Sequence, residues 1–285
     1  MRYMQKEPIE QKNDQIDPAI CDDDARPAIE AFLTLFGTSS PSLRQIWAAM
    51  DFVWDSVGVD NRDPDPELLS EFYSHPVWLL NGLFIEQHAQ SLKNRDAFAT
   101  WVQEIEPGRV ADFGGGYGTL ARAIAARCPE ARVEVVDPYP RPEALRQSAG
   151  YDNLAFAEKL DGEYDVIIAT DVFEHVTDPV GLACEVAGHI PVGGRFLTAN
   201  HFAPSIKCHL PSTFHFNQSW DRVMEKLGFV KEGRVSYGTV YRRTSAAAGI
   251  DGARRVEALS RLLHRLPRVR GSGRLKRLLL RSVPL

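Results

Sequence analysis

The sequence has few cysteines, no long apolar run and no excess of positive charge. Its four cysteines, Cys21, Cys128, Cys184 and Cys208, lack the dense, regular spacing of a disulfide framework. No apolar run reaches the roughly 18 residues that cross a bilayer, and Met1 is not followed by a secretory hydrophobic segment. We therefore expect a protein of the reducing cytoplasm.

The charge balance argues against a dedicated nucleic-acid binder, which would present a strongly basic surface. The 285 residues carry a formal net charge of -5. The charge is uneven, because the segment from Ser245 onward holds ten Lys and Arg residues against two acidic ones. We expect no nucleic-acid partner, and the chain is long enough for one large domain with an accessory region.

The chain before Gly108 divides into two regions. Residues 1–25 are polar and acidic, which predicts a flexible arm. Residues 26–107 show apolar residues at helical spacing, with helix starts at Ser40 and Asp65 and a break at His75. We expect this second region to be a helical lid or a dimerisation region, so a homodimer is one predicted assembly.

From residue 108 to 244, short β-branched runs alternate with helical stretches, which is typical of a parallel sheet with crossover helices. The last two runs are separated only by Gly233-Arg234, which is too short for a crossover helix and predicts an antiparallel hairpin. The predicted fold is therefore α/β: a doubly wound, Rossmann-like sheet of seven strands that ends in an antiparallel hairpin, preceded by the helical region. Strands are predicted over residues 109–113, 132–136, 153–156, 165–170, 195–200, 229–232 and 235–241.

A glycine-rich turn follows the first predicted strand. Asp112 is followed by Gly114, Gly116 and Gly118, and a helix then begins. Such a turn lets a ligand approach the backbone, and the helix start offers unpaired N–H groups. The dinucleotide fingerprint needs Gly or Ala where this chain has Thr119, although a turn of this kind also occurs for structural reasons alone.

A carboxylate ends the second predicted strand. Asp137 lies 23 residues beyond Gly114. A carboxylate at this position accepts hydrogen bonds from both ribose hydroxyls of a nucleoside that lies on the glycine turn. The alternative is a plain turn residue before Pro138. Polar residues also end the fourth predicted strand, where Thr170 and Asp171 face the edge at which ligands bind in such sheets.

These motifs resemble those of class I S-adenosylmethionine-dependent methyltransferases. The glycine turn after Asp112 resembles the family's first motif, Asp137 its ribose-binding acid, and Asp171 to Val176 its fourth-strand motif. The terminal hairpin is similar to the family's reversed seventh strand, and the likeness covers about half of the chain. The resemblance implies that S-adenosylmethionine is the cofactor, that Asp112 and the three glycines hold its methionine part, and that Asp137, with Thr170 and Asp171 nearby, completes the cofactor site.

The implied reaction is methyl transfer to an oxygen or nitrogen atom of a small-molecule acceptor, in natural-product, cofactor or glycan biosynthesis. A hydroxyl acceptor needs a base or a metal, so side chains at the ligand edge are informative. We predict His175, His201 and Asp171 as catalytic residues. Substrate-binding residues are predicted at His209, His215, Tyr73 and Trp78. The alternatives are ordinary loop histidines and core aromatics.

A metal is not the expectation. Asp171, Glu174 and His175 resemble the Glu-x-x-Glu-His pattern of metal-assisted ubiquinone O-methyltransferases, but the same string occurs in relatives without a metal, so a divalent ion stays an alternative. The spacing of His201, Cys208 and the following histidines fits no standard zinc pattern.

The C-terminal segment, residues 245–285, is predicted to be a basic amphipathic tail. It either contacts an anionic membrane or an acidic partner, or packs on the protein's own acidic body. Two other functions remain open from the sequence: a cofactor-binding module without catalysis, and a nicotinamide-dependent oxidoreductase, which Thr119 and the terminal hairpin disfavour.

Overall fold

A computed structural model of the chain describes residues 15–246 and 249–265. Its centre is one sheet of seven strands: β1 Arg109–Phe113, β2 Arg132–Val136, β3 Leu154–Ala157, β4 Val166–Thr170, β5 Arg195–Ala199, β6 Phe229–Val235 and β7 Gly238–Arg243. The strand order is β3-β2-β1-β4-β5-β7-β6. The first five strands pair in parallel, and β7 runs antiparallel to both β5 and β6. The predicted fold class is confirmed.

Helices cover both faces of the sheet, which explains why the central strands are apolar on both sides. Val166, Ile167, Ile168 and Ala169 of β4 are all fully buried. The helices are α1 Arg26–Phe36, α2 Leu43–Val57, α3 Pro66–Ser74, α4 Val77–Ile85, α5 Ala89–Ile105, α6 Thr119–Arg127, α7 Pro142–Ser148, α8 Pro179–Gly188, α9 Trp220–Lys226 and α10 Ile250–Arg265, with 3₁₀ turns at Pro18–Ile20, Phe173–His175 and Pro211–Gln218. None of the described helices is both long and apolar enough to cross a membrane.

Side-chain caps begin two of the N-terminal helices. Asp65 accepts a hydrogen bond from Glu67 N at 2.8 Å and starts α3, as predicted. The cap of α2 is Ser42 and not Ser40, because Ser42 forms a reciprocal capping box with Gln45. The predicted break at His75 separates α3 from α4.

Residues 15–25, the described part of the predicted arm, differ from the expectation of a flexible segment. Ile16 and Cys21 are buried, and Ile16 N donates to Ser39 O at 2.7 Å. Asp22 N donates to Glu143 Oε1 at 3.0 Å. These few apolar side chains dock on the helices despite the acidic surroundings, whereas residues 1–14 lie outside the described part of the chain.

The hairpin turn is also displaced from its predicted position. It lies at Ser236-Tyr237 and not at Gly233-Arg234, and Ser236 adopts a positive φ of 49°. The ladder shifts register between Lys231 and Gly233, so the glycine that suggested a turn belongs to a bulge.

Helix α10 packs on the protein itself. Val256 and Leu263 are buried in the core that α8 and α9 share, and Arg254 pairs with Asp178 at 2.5 Å. Within residues 249–265, the alternative of packing on the acidic body is therefore the one observed. The rest of the predicted basic tail lies outside the described residues.

Candidate active site

The turn between β1 and α6 exposes backbone at the carboxyl edge of the sheet. Gly114 has φ +70°, and a Cβ atom there would lie 2.5 Å from Val172 Cγ2. Gly116 has φ +52°, and a Cβ atom there would meet nothing within 4 Å. Gly118 then precedes the first residue of α6. The turn needs glycine for its conformation, and the open space beside Gly116 leaves room for a ligand.

Asp137 faces this turn from the end of β2. Its Oδ2 accepts a hydrogen bond from Gly116 N at 3.0 Å, and its Oδ1 accepts one from Tyr139 N at 2.8 Å. Burial raises the pKa of Asp137, although both hydrogen bonds favour the charged form. The carboxylate is thus held in a fixed orientation beside the glycine turn, which suits a hydrogen-bond acceptor for sugar hydroxyls.

Asp112, in β1 just before the turn, is a buried carboxylate with an unused acceptor. Its side chain is 1% exposed, and Oδ2 has no hydrogen-bond partner among the described residues. Burial raises its pKa to about 7. An unsatisfied buried acceptor is costly, so a ligand that donates a hydrogen bond or carries positive charge would stabilise it.

The end of β4 contributes Thr170 and Asp171 to the same edge. Asp171 adopts φ +55°, which is uncommon outside glycine and is enriched at functional sites. Its Oδ2 accepts a hydrogen bond from Tyr237 Oη at 3.0 Å. Sequence reasoning missed Tyr237, because the turn that carries it was placed elsewhere.

Three imidazoles lie together beside this edge. The ring of His209 is 4.8 Å from that of His175 and 5.7 Å from that of His201. Burial, with His209 nearby, lowers the pKa of His175 to about 3, and burial also lowers that of His209. Both rings are therefore neutral near pH 7. His201 is more exposed, and its Nε2 lies 2.7 Å from Ser205 Oγ.

Aromatic side chains from α3 and α4 cover the imidazoles. Tyr73 and Trp78 lie 6.4 and 6.1 Å from His175, both edge-on, and Tyr73 stacks on Tyr139. Tyr73 Oη and Trp78 Nε1 are buried without a hydrogen-bond partner among the described residues. Both groups can therefore donate a hydrogen bond to a ligand that binds near the neutral imidazoles.

His215 lies apart from this group. Its Nδ1 is 2.5 Å from Ser260 Oγ of α10, and its ring packs on Phe216. Of the predicted site residues, Tyr73, Trp78, His175, His201 and His209 are brought together, whereas His215 joins the 3₁₀ turn Pro211–Gln218 to α10. Its role in substrate binding remains a prediction that this position does not favour.

Polar contacts attach the helical region to the sheet around the site. Arg141, four residues after Asp137, donates to the carbonyl oxygens of Ser74 and His75, each at 2.5 Å. Glu86, just after α4, pairs with Arg122 of α6 at 2.6 Å and accepts a hydrogen bond from Thr119. The helices before Gly108 are thus tied to both sides of the glycine turn, a feature that the sequence pattern did not reveal.

The comparison with known families decides the class of the protein. Residues 83–237, more than half of the chain, match the family model described as a methyltransferase domain. The chain belongs to this family. The methyltransferase is therefore an enzyme, and its family membership confirms the S-adenosylmethionine cofactor that its motifs imply. The alternative of a nicotinamide-dependent oxidoreductase is wrong.

This methyltransferase is similar to several solved structures. An O-methyltransferase family protein from Burkholderia thailandensis is 16% identical, with 78% of this chain and 73% of that chain covered and a TM-score of 0.50. A 1,6-didemethyltoxoflavin-N1-methyltransferase from the same organism is 17% identical, with 66% and 94% covered and a TM-score of 0.48. Mitomycin 7-O-methyltransferase is 16% identical, with 79% and 74% covered and a TM-score of 0.49. No curated protein matches the chain by sequence.

Proposed function

We propose that the protein transfers the methyl group of S-adenosylmethionine to an oxygen or nitrogen atom of a small, planar acceptor that binds beneath α3 and α4. One observation carries this proposal: Tyr73 Oη and Trp78 Nε1 are buried donors without partners among the described residues, on rings whose centroids lie 6.4 and 6.1 Å from that of the neutral His175. Buried polar groups of this kind are satisfied when a ligand with matching acceptors binds.

The cofactor's place follows from the glycine turn. Asp112 and the turn from Gly114 to Gly118 bind the methionine part, and Asp137 accepts hydrogen bonds from the ribose. Thr170 and Asp171 border the sulfonium. Transfer to an acceptor beneath α3 and α4 would require the methyl group of a cofactor held there to face the imidazoles. Alignment of the two reactants supplies up to roughly 7 to 11 kcal/mol of the barrier reduction in favourable cases.

The acceptor side supplies shape and lone pairs. The rings of Tyr73, Trp78 and Tyr139 favour a flat, aromatic acceptor of natural-product or cofactor type over a glycan or a long polymer. The neutral imidazoles of His175 and His209 carry the lone pairs that a hydroxyl acceptor needs at neutral pH. Four free cysteines support a cytoplasmic setting.

Calorimetry with S-adenosylhomocysteine, with NAD as the comparison ligand, tests the cofactor assignment. We expect binding of the first ligand alone, and failure to bind it would refute the proposed function. Transfer of labelled methyl groups to a panel of phenols and aromatic amines then tests the acceptor class. His175→Ala should keep its affinity for S-adenosylhomocysteine within about twofold while turnover falls about 100-fold or more. Full turnover would remove His175 from the mechanism.

A further inference from the structure

Three side chains beside the acceptor pocket form the arrangement of a metal site. We infer that Glu174, His175 and His209 bind a divalent transition-metal ion of the Zn²⁺ type, with a fourth position open to the acceptor. Each residue offers one ligand atom, and these atoms lie within 4.8 Å of one another. Two imidazoles and one carboxylate are the ligand set of many catalytic zinc sites.

Backbone carbonyl groups fix the tautomer of both imidazoles. His175 Nδ1 lies 3.1 Å from Cys208 O, and His209 Nδ1 lies 2.8 Å from Ala203 O. A carbonyl oxygen only accepts hydrogen bonds, so each Nδ1 carries the proton and each Nε2 carries the lone pair. Metal-binding histidines are commonly fixed in this way by a carbonyl group on the far nitrogen.

The carboxylate has one oxygen held and one oxygen unused. Glu174 Oε1 accepts a hydrogen bond from His201 N at 2.6 Å, whereas Oε2 has no partner among the described residues. Glu174 is fully buried, and within the described chain no Lys or Arg forms a salt bridge with it. A buried carboxylate without a counter-charge is costly, and a cation at Oε2 would remove that cost.

Two elements bring the ligands together. Glu174 and His175 belong to the 3₁₀ turn Phe173–His175 after β4, and His209 lies in the loop after β5. Leu210 N donates to Glu174 O at 2.8 Å, which fixes one segment against the other. Ligand atoms about 2.1 Å from a tetrahedral ion are about 3.4 Å apart, so binding requires an inward movement of about 1 Å.

The ligand set selects the kind of metal. Mg²⁺ and Ca²⁺ prefer oxygen ligands, and two imidazoles do not suit them. Imidazole with one carboxylate suits Zn²⁺ and its first-row neighbours. Cys208 is next in sequence to His209, but the group of ligand atoms that lie within 4.8 Å of one another consists of Glu174, His175 and His209 and does not include its thiol.

The chemical consequence rests on the proposed function. A bound ion would use the Nε2 lone pairs of His175 and His209, so neither ring could then act as the base. The ion itself would lower the pKa of the acceptor hydroxyl, which would lose its proton to solvent. Its oxygen then forms a bond to the methyl carbon while the bond from that carbon to sulfur breaks, and the electron pair stays on sulfur as neutral S-adenosylhomocysteine. The site therefore favours a phenol or another hydroxyl group as the acceptor over an amine.

Metal binding is tested on the full chain after removal of bound metal with a chelator. Calorimetry with Zn²⁺ and the visible absorption of added Co²⁺ should show one ion per chain, in a nitrogen and oxygen environment without a thiolate band. His209→Asn and Glu174→Gln should weaken Zn²⁺ binding about 100-fold or more. The matched control is His215→Asn, which removes another buried, neutral histidine and should leave metal affinity unchanged.

The affinity for S-adenosylhomocysteine separates this inference from the proposed function. In the variants it should match that of the parent protein, which also shows that they are folded. Equal Zn²⁺ affinity in the parent, His209→Asn and Glu174→Gln would overturn the metal site and leave the methyltransferase proposal intact. Metal binding without any binding of S-adenosylhomocysteine would overturn the proposed function and leave the metal site in place.

Discussion

Replacing Asp137 with alanine is the most direct test of how the cofactor is held. The structure assigns its carboxylate two backbone hydrogen bonds, from Gly116 N at 3.0 Å and Tyr139 N at 2.8 Å. A carboxylate retains lone pairs for two ribose hydroxyls in addition. Hydrogen bonds to a charged group contribute about 1.5–3 kcal/mol each, so losing both ribose contacts costs about 3 kcal/mol or more. That corresponds to at least about 100-fold weaker binding.

A matched control separates loss of the cofactor contact from loss of stability. Asp165 also accepts two backbone hydrogen bonds, from Gly108 N and Arg109 N, each at 2.9 Å. It lies just before β4, at the edge of the sheet opposite the glycine turn. Asp165→Ala likewise removes two backbone hydrogen bonds to a carboxylate, here an exposed one, and should leave the affinity for S-adenosylhomocysteine unchanged.

Calorimetry with S-adenosylhomocysteine provides the assay, together with denaturant unfolding of both variants. We expect weakened binding in Asp137→Ala alone. If Asp137→Ala bound the ligand as tightly as the parent, or if Asp165→Ala lost affinity equally, the reasoning that Asp137 clasps the ribose would be refuted.

Three further predictions concern stability and pH. In Gly82→Ala the new Cβ would lie 2.8 Å from Tyr117 Cβ, so denaturant unfolding should show that the free energy of unfolding falls by about 1–3 kcal/mol. In the control Gly188→Ala the new Cβ meets nothing within 4 Å, so the free energy of unfolding should stay the same or rise by up to about 1 kcal/mol. Equal effects would contradict the close packing of α4 on Tyr117. Glu86→Gln removes the charge that pairs with Arg122, whose side chain is 9% exposed. The free energy of unfolding should fall by about 1.5–3 kcal/mol, and proteolysis of the helical region should become faster. An unchanged cleavage rate would argue that this ion pair does not hold the helical region to the sheet. Burial lowers the pKa of His215 to about 4, below the value near 6.5 in the unfolded chain, so only the unfolded chain binds this proton between these pH values. The free energy of unfolding, measured relative to that of His215→Asn, should therefore rise between pH 4 and 6.5 by up to about 1.4 kcal/mol per pH unit. Parallel pH profiles for the two proteins would contradict a neutral buried imidazole.

The sheet and the cofactor edge were predictable because their signals are local. The five parallel strands are short apolar runs, and the residues at their carboxyl ends must meet at one edge. Asp137 and the glycine turn lie on neighbouring strands, so their proximity follows from the strand order alone. The boundaries of β3, β4 and β5 differ from the predicted ones by one residue.

Features that depend on contacts distant in sequence were not predictable. The hairpin turn uses Ser236 at positive φ, which a serine adopts only because the flanking strands pair, and Gly233 drew the prediction to the bulge instead. Residues 15–25 are acidic in composition, yet docking of Ile16 and Cys21 overrides that signal. The sequence identified Glu174 only as part of the motif from Asp171 to His175. Its unpaired carboxylate oxygen and its proximity to His209, which lies 35 residues later, are visible only in the folded chain.

The core beneath the helical region belongs to both halves of the chain. Tyr117, Ile206 and Leu210 from the sheet side are buried in one continuous apolar cluster with Trp54 and Phe72 from the helical side. The boundary at residue 108 is thus a change of sequence pattern and not a mechanical joint. A fragment cut there would expose the apolar side chains of this shared cluster to water and should aggregate.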